Sequence, residues 1–239
     1  MRILRRVIKT ATRPYRARRH GTIGEAKVRV VLNYDPDKKL VHRTINNLII
    51  IDKNGHSHQI DHVEIRKNGI FCIETKSLKG TIIGDQNSFK WTQILSDGEI
   101  YQHFNPIKQN EAHCRILRNI LGDRYNVNSI IVMANDNAAS IASSNVINVR
   151  DLKEYLDNFD NGVILTSEEI NNVADVIESY NSDLSDVEHI KNIREYKKSK
   201  VNDVCPYCGA KLLSSDRPNG VIYLCPNYPT CKYIKFVKM

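Results

Sequence analysis

The stretch QIDHVEIRKNGIFCIETK, residues 59–76, decides the fold. Strand-forming runs rich in Ile, Val and Phe flank Lys67-Asn68-Gly69, which has the composition of a tight turn. The reading is a β-hairpin with strands over His58 to Ile65 and Ile70 to Lys76. Residues two apart share a strand face, so Glu74 and Lys76 point the same way, and an Asn68-Gly69 turn would set Asp61 nearly opposite Lys76. Asp61, Glu74 and Lys76 are therefore expected to converge. Two carboxylates and an ammonium are costly to bury on a sheet otherwise made of Ile, Val and Phe, unless they serve something. Paired carboxylates with a backbone carbonyl make an oxygen site for Mg²⁺, or for Mn²⁺, which accepts the same ligands. A metal there would polarise a scissile phosphodiester and lower the pKa of a bound water, with Lys76 positioning that water or stabilising charge on the phosphate. So short a pattern also describes an ordinary salt bridge between Lys76 and either acid on a solvated sheet face.

On the N-terminal side, Gly21 to Asn33 reads as a helix opening near Thr22 or Gly24, with Ile23, Val28, Val31 and Leu32 as its inner stripe and Glu25 in its first turn. Leu40 to Asp52 is a Val/Ile/Leu-rich strand. On the C-terminal side, short strands are expected through Thr81 to Tyr101, followed by a helix from Asn105-Pro106 to about Leu121 with Pro106 in its first turn. Strands follow over Ser129 to Ala134 and Val146 to Val149, then a helix over Asp151 to Phe159. Thr166-Ser167-Glu168-Glu169 caps another helix reaching Tyr180. Interleaved strands and helices predict an α/β sheet domain. His56, His58 and His62 flank the acids, but His62 points opposite to Asp61, and the three read as bystanders. Trp91 reads as core.

Beyond a polar, helix-patterned connector over 182–202, four cysteines fall at Cys205, Cys208, Cys225 and Cys231, a C-x2-C, x16, C-x5-C spacing that suits one metal ion. Gly209 lets amides face sulfur, and Pro206 and Pro226 stiffen the turns. Four thiolates close a tetrahedral Zn²⁺ site with no open position, so the zinc is expected to be structural and to supply folding energy to a segment poor in apolar residues. This segment resembles the C4 zinc fingers at the C-terminal end of bacterial type IA topoisomerases, through Cys205-Pro206-Tyr207-Cys208-Gly209 and Cys225-Pro226-Asn227-Tyr228-Pro229-Thr230-Cys231. The resemblance implies contact with single-stranded DNA, and Tyr223, Tyr233, Lys232 and Lys235 have the chemistry for base stacking and phosphate contact. Cys72 and Cys114 lie far from this cluster and read as buried free thiols.

The formal charge of +8 is unevenly spread over the 239 residues. Residues 1–20 form a basic arm with eight basic groups and no acid, Arg13, Arg16, Arg18 and Arg19 among them. Residues 21–190 carry 17 basic against 24 acidic groups, and residues 191–239 carry 10 against 3. Basic ends around an acidic middle suit a polyanion such as nucleic acid, although a basic arm with Ile3, Leu4, Val7 and Ile8 also suits an anionic membrane surface. No apolar run approaches a membrane span, and the N-terminus lacks the apolar core of a secretory signal, so a cytoplasmic protein is expected.

Taken in order, Gly24-Glu25 on a helix, QIDHV, GIFCIETK and Asn105-Pro106-Ile107-Lys108-Gln109 resemble the NERD (nuclease-related) domain of the PD-(D/E)xK nuclease superfamily over roughly residues 20 to 135. The resemblance implies a restriction-endonuclease-like mixed sheet flanked by helices. It also implies Asp61 and Glu74 as metal ligands, Lys76 as catalytic lysine, Glu25 as the first-helix acid, and Gln109 as a residue that contacts substrate or supports the site. The expected organisation is a basic arm (1–20), a nuclease-like domain (21–181), a charged helical linker (182–202) and a zinc ribbon (203–239). The expected function is Mg²⁺- or Mn²⁺-dependent cleavage of DNA, with RNA left open. The alternative is a non-catalytic nucleic-acid-binding protein that uses the fold as a scaffold.

Overall fold

A computed structural model describes residues 21–35, 40–53, 55–122, 124–199, 204–205, 210–229, 231 and 233–238. The basic arm, Cys208 and Lys232 lie outside the described residues. The chain is built on a five-stranded mixed sheet in the order β1-β2-β3-β7-β9. Strands β1 (His42–Ile51), β2 (Ser57–Arg66) and β3 (Gly69–Lys76) run antiparallel, while β7 (Val127–Met133) and β9 (Val146–Asn148) extend the sheet in parallel. Parallel neighbours need crossovers. The β3–β7 connection contains β4 (Thr81–Asp85), β5 (Lys90–Ile94), β6 (Ile100–Phe104) and helix α2 (Pro106–Leu121). β4–β6 join the two-residue β8 (Ile141–Ala142) in a separate small sheet of order β6-β5-β4-β8. The expected mixed α/β architecture, with sheets flanked by helices, is observed.

Both faces of the main sheet are covered. On one, α2 and α4 (Ser167–Ser179) pack over Ile45, Ile60, Val63, Ile65, Ile70 and Cys72. On the other, α1 (residues 21–32) and α3 (Leu152–Asp157) pack over Phe71, Ile73, Ile130 and Val132. The inner stripe of α1 is Gly24, Val28 and Leu32, spaced four apart; Ile23 is 46% exposed, contrary to the expected stripe, because it lies a third of a turn away from that line. Gly24 is required: a Cβ there would meet Ser77 Cβ at 2.9 Å and Ala134 Cβ at 3.2 Å, beside the C-terminal ends of β3 and β7. Trp91 is fully buried, as expected, and its ring lies where a side chain on Gly84 would stand.

Residues 182–202 contain α5 (Asp186–Ser199), which docks on the sheet. His189 is buried, its Nδ1 stands 2.8 Å from Ser57 Oγ, and Asn192 Oδ1 accepts from Ser57 N at 2.8 Å. At the C-terminus, β10 (Leu213–Arg217), β11 (Gly220–Leu224) and β12 (Ile234–Lys238) form a three-stranded antiparallel sheet around Cys205, Leu212 and Cys225. Among the described residues no helix is long and apolar enough to cross a membrane.

Candidate active site

The site lies where β2 and β3 part. Their pairing begins at Arg66↔Gly69 and ends at His62↔Ile73, so the two-residue loop is Lys67-Asn68 and not Asn68-Gly69. The cause is tertiary. Asn68 Nδ2 donates to Leu156 O at 2.7 Å and to Phe159 O at 2.9 Å, anchoring Asn68 at the tip. The shift by one position brings Asp61 into line with Glu74, in place of the expected Lys76. Beyond His62↔Ile73 the backbone ladder stops, and Asp61 Oδ2 takes its place by accepting from Thr75 N at 2.8 Å. On the other side of β2, the β1–β2 ladder skips the same level, where Asn47 adopts a left-handed conformation (φ 54°). Inward-facing residues change parity there, from Ile45 to Leu48 and Ile50 on β1 and from Val63 to Ile60 on β2, so both strands bend away from β3 at the level of Asp61.

Into this fork α2 projects a row of polar side chains. Asn105 caps the helix by accepting from Ile107 N, and its Nδ2 ties the cap to Asp85 O and Ser88 O. One turn on, Gln109 Nε2 donates to Glu74 Oε1 at 2.9 Å, and Gln109 Oε1 accepts from Lys76 Nζ at 3.2 Å. Lys76 Nζ also donates to Glu74 Oε1 at 2.5 Å. Glu74, Lys76 and Gln109 thus close a triangle. Buried Asn110 clamps the helix to the sheet, donating to Cys72 O and to Ser129 Oγ. Cys72 and Cys114 are buried free thiols beneath it, as the sequence suggested.

The electrostatics of the fork are unbalanced. Burial first, and then the neighbouring Glu74 carboxylate, push the Asp61 carboxyl well above the ordinary carboxylate range. The Thr75 N–H and Lys76 pull the other way, while Glu25 adds a smaller like-charge push, which places it within electrostatic reach of Asp61. Glu74 is 3% exposed, and its Oε2 is buried without a hydrogen-bond partner. A desolvated lone pair beside a second carboxylate fits a cation, which would lift the like-charge penalty and satisfy the orphaned oxygen. Asp61, Glu74, Lys76 and Gln109 are therefore brought together, with Glu25 at the margin. His62 lies on the opposite sheet face, its Nδ1 2.7 Å from Asn46 Oδ1, and burial lowers its pKa to about 4. His103 on β6 is pulled down by burial and by the charge of Lys76, so the small sheet walls the same cleft. His113 was not anticipated, although its position four residues after Gln109 puts it on the same helix face. A groove of about 470 Å³ lies instead at the turn end of the hairpin, lined by Arg66, Asn68, Leu156 and Phe159.

Among the described residues, the compact group of three metal-capable donors is Cys205, Cys225 and Cys231, whose ligand atoms lie within 4.8 Å of one another. Cys205 and Cys231 sulfurs stand 3.6 Å apart. The cluster is compatible with a zinc site. Tyr223 and Tyr233 pack half-buried against it, so the rings exposed to solvent here are Tyr228 and Phe236, and Lys235 pairs with Tyr223 across β11–β12.

Diverging strands of a mixed sheet thus present two acids and a lysine to a helix-borne glutamine. Residues 20–134 match the family model of the nuclease-related domain, NERD. An uncharacterized protein of Bacillus anthracis is 33% identical over 99 residues, which is 41% of this chain and 44% of that protein. The chain therefore aligns with less than half the length of this curated relative. No solved structure matches the chain.

Proposed function

We propose that the protein is a metal-dependent nuclease that hydrolyses DNA phosphodiester bonds. The observation that carries this reading is the buried, unpartnered Oε2 of Glu74, set beside Asp61 and Lys76 at the strand fork. Asp61 and Glu74 would hold Mg²⁺ or Mn²⁺, and the ion would polarise the phosphodiester and lower the pKa of a bound water. The chain's own groups do the rest. Thr75 N–H fixes the orientation of Asp61 through Oδ2. Gln109 ties Glu74 and Lys76 together through both ends of its amide, so that Lys76, released from Glu74, can donate to the attacking water or to a non-bridging phosphate oxygen. Glu25 adds an acid from α1, directly or through water.

The C-terminal sheet, with Cys205, Cys208, Cys225 and Cys231 on structural Zn²⁺, would deliver the strand. Exposed Tyr228 and Phe236 suit stacking on unpaired bases, while Lys232, Lys235 and the arm residues Arg13, Arg16, Arg18 and Arg19 supply phosphate contacts. The test is cleavage of labelled single- and double-stranded DNA with Mg²⁺ or Mn²⁺ by the wild type, Glu74→Ala and Lys76→Ala, with binding followed in parallel. Metal-dependent cleavage lost in both variants with binding kept supports the nuclease. Binding without cleavage by all three, on both substrates, contradicts it and leaves a non-catalytic DNA-binding protein.

A further inference from the structure

A second orphaned atom faces the first. His113 is 6% exposed, and its Nδ1 stands 3.6 Å from Glu74 Oε2, too far for a hydrogen bond; neither atom has another partner. Burying both a carboxylate oxygen and an imidazole nitrogen unsatisfied is costly, so the pair calls for a partner between them. Two donors bound side by side to one ion at about 2.1 Å stand roughly 3 Å apart, close to the separation seen. The neighbours hold this arrangement in place. Glu74 Oε1 is occupied by Lys76 and Gln109, which leaves Oε2 toward the histidine. The His58 ring stands edge-on to His113 with centroids 6.3 Å apart, and its own Nε2 lies 3.3 Å from Asp52 Oδ2, so His58 is engaged elsewhere.

We propose that His113 Nδ1 is a nitrogen ligand to the ion that Glu74 Oε2 holds, which makes the site selective for Mn²⁺ over Mg²⁺. The proposal rests on the metal-site reading above and adds a donor to it. A nitrogen donor is accepted by divalent transition ions, of which Mn²⁺ is the weakest binder, more readily than by Mg²⁺, whereas an all-oxygen shell suits Mg²⁺ and Mn²⁺ alike. The donor atoms of Asp61, Glu74 and His113 do not all lie within 4.8 Å of one another, so Asp61 would reach this ion through water.

The test is pulsed electron paramagnetic resonance of the full-length, zinc-loaded protein with substoichiometric Mn²⁺, together with calorimetric affinities for Mn²⁺ and Mg²⁺. A directly bound imidazole imposes ¹⁴N modulation on the Mn²⁺ echo. The modulation is expected in the wild type and in His58→Gln, and it should vanish in His113→Gln while Mn²⁺ affinity falls about tenfold and Mg²⁺ affinity holds. His113→Asn, which is smaller, should behave in the same way and serves if the glutamine disturbs the fold by circular dichroism. Mn²⁺ bound in a Glu74-dependent manner without ¹⁴N modulation, or with modulation that persists in His113→Gln, overturns the role of His113 alone. Failure of the wild type to bind Mn²⁺ at all overturns the metal-site reading beneath it.

Discussion

The β2–β3 hairpin buries a glutamate at each end, and the two are treated in opposite ways. Near the turn, Glu64 is fully buried and both of its oxygens are engaged. Arg66 Nε donates at 2.7 Å and His42 Nδ1 lies 2.9 Å away on Oε1, while Thr44 Oγ1 donates at 2.5 Å to Oε2. Arg66 is completed in turn by Asp157 at 2.8 Å. At the fork, Glu74 is equally inaccessible, but one oxygen has no partner, and its acidic neighbour Asp61 is held in an environment that resists ionisation. Burial of a carboxylate is therefore no sign of function in this fold. What separates the ends is satisfaction: the turn end is a closed network, whereas the fork end leaves one lone pair unpartnered, where the proposed cation would bind.

The largest effect that could break this comparison is on stability. Glu64→Ala leaves the Arg66 guanidinium, whose side chain is 4% exposed, without its buried partner, and should lower unfolding free energy by about 3 kcal/mol. Glu74→Ala removes a desolvated charge that is only half satisfied and should cost far less, although it is expected to abolish the proposed cleavage. Urea denaturation of both variants without added Mg²⁺ or Mn²⁺ checks the ordering, and equal losses would remove the distinction.

A second effect, of similar size, sharpens the contrast across the sheet. His62 is buried neutral, with its pKa lowered from the ordinary 6.5 to about 4. Below pH 6.5 the unfolded chain takes up a proton that the folded chain refuses, so the contribution of His62, complete above 6.5, is lost as pH falls toward 4. The loss should reach roughly 3 kcal/mol, and His62→Gln should flatten the stability profile across that window. Smaller again is Gly24→Ala. Its Cβ would press on Ser77 and Ala134 and tilt α1, costing about 1–3 kcal/mol and shifting Glu25 away from Asp61. The expected signature is a lower Tm with reduced cleavage and unchanged DNA binding.

Much of this was legible in the sequence because periodicity is a local property. Strand-forming runs about the Lys67-Asn68-Gly69 turn were enough to place two strands, and the Asn105-Pro106 cap and the Thr166 capping box placed two helices close to their observed starts. The turn was legible only to within one position, which moves the cross-strand partner by two residues, because it was settled by the bonds from Asn68 to Leu156 and Phe159, contacts some 90 residues away. The left-handed backbone at Asn47, which bends β1 beside Asp61, has no local signature either. His113 was readable in principle, one turn beyond Gln109 on the same face. Its significance depends on an unmet hydrogen bond, which only three-dimensional placement reveals.

The central claim, that the fork is built for a cation and the turn end is not, is tested most directly by thermal shift with and without Mn²⁺ in the wild type, Glu74→Gln and Glu64→Gln. An ion that binds only the folded chain raises Tm, and the rise grows with the logarithm of its concentration above the dissociation constant. The account predicts that Mn²⁺ raises Tm in the wild type and by the same increment in Glu64→Gln, from a lower starting point, but leaves Glu74→Gln unmoved. A Mn²⁺ shift that survives in Glu74→Gln would contradict it.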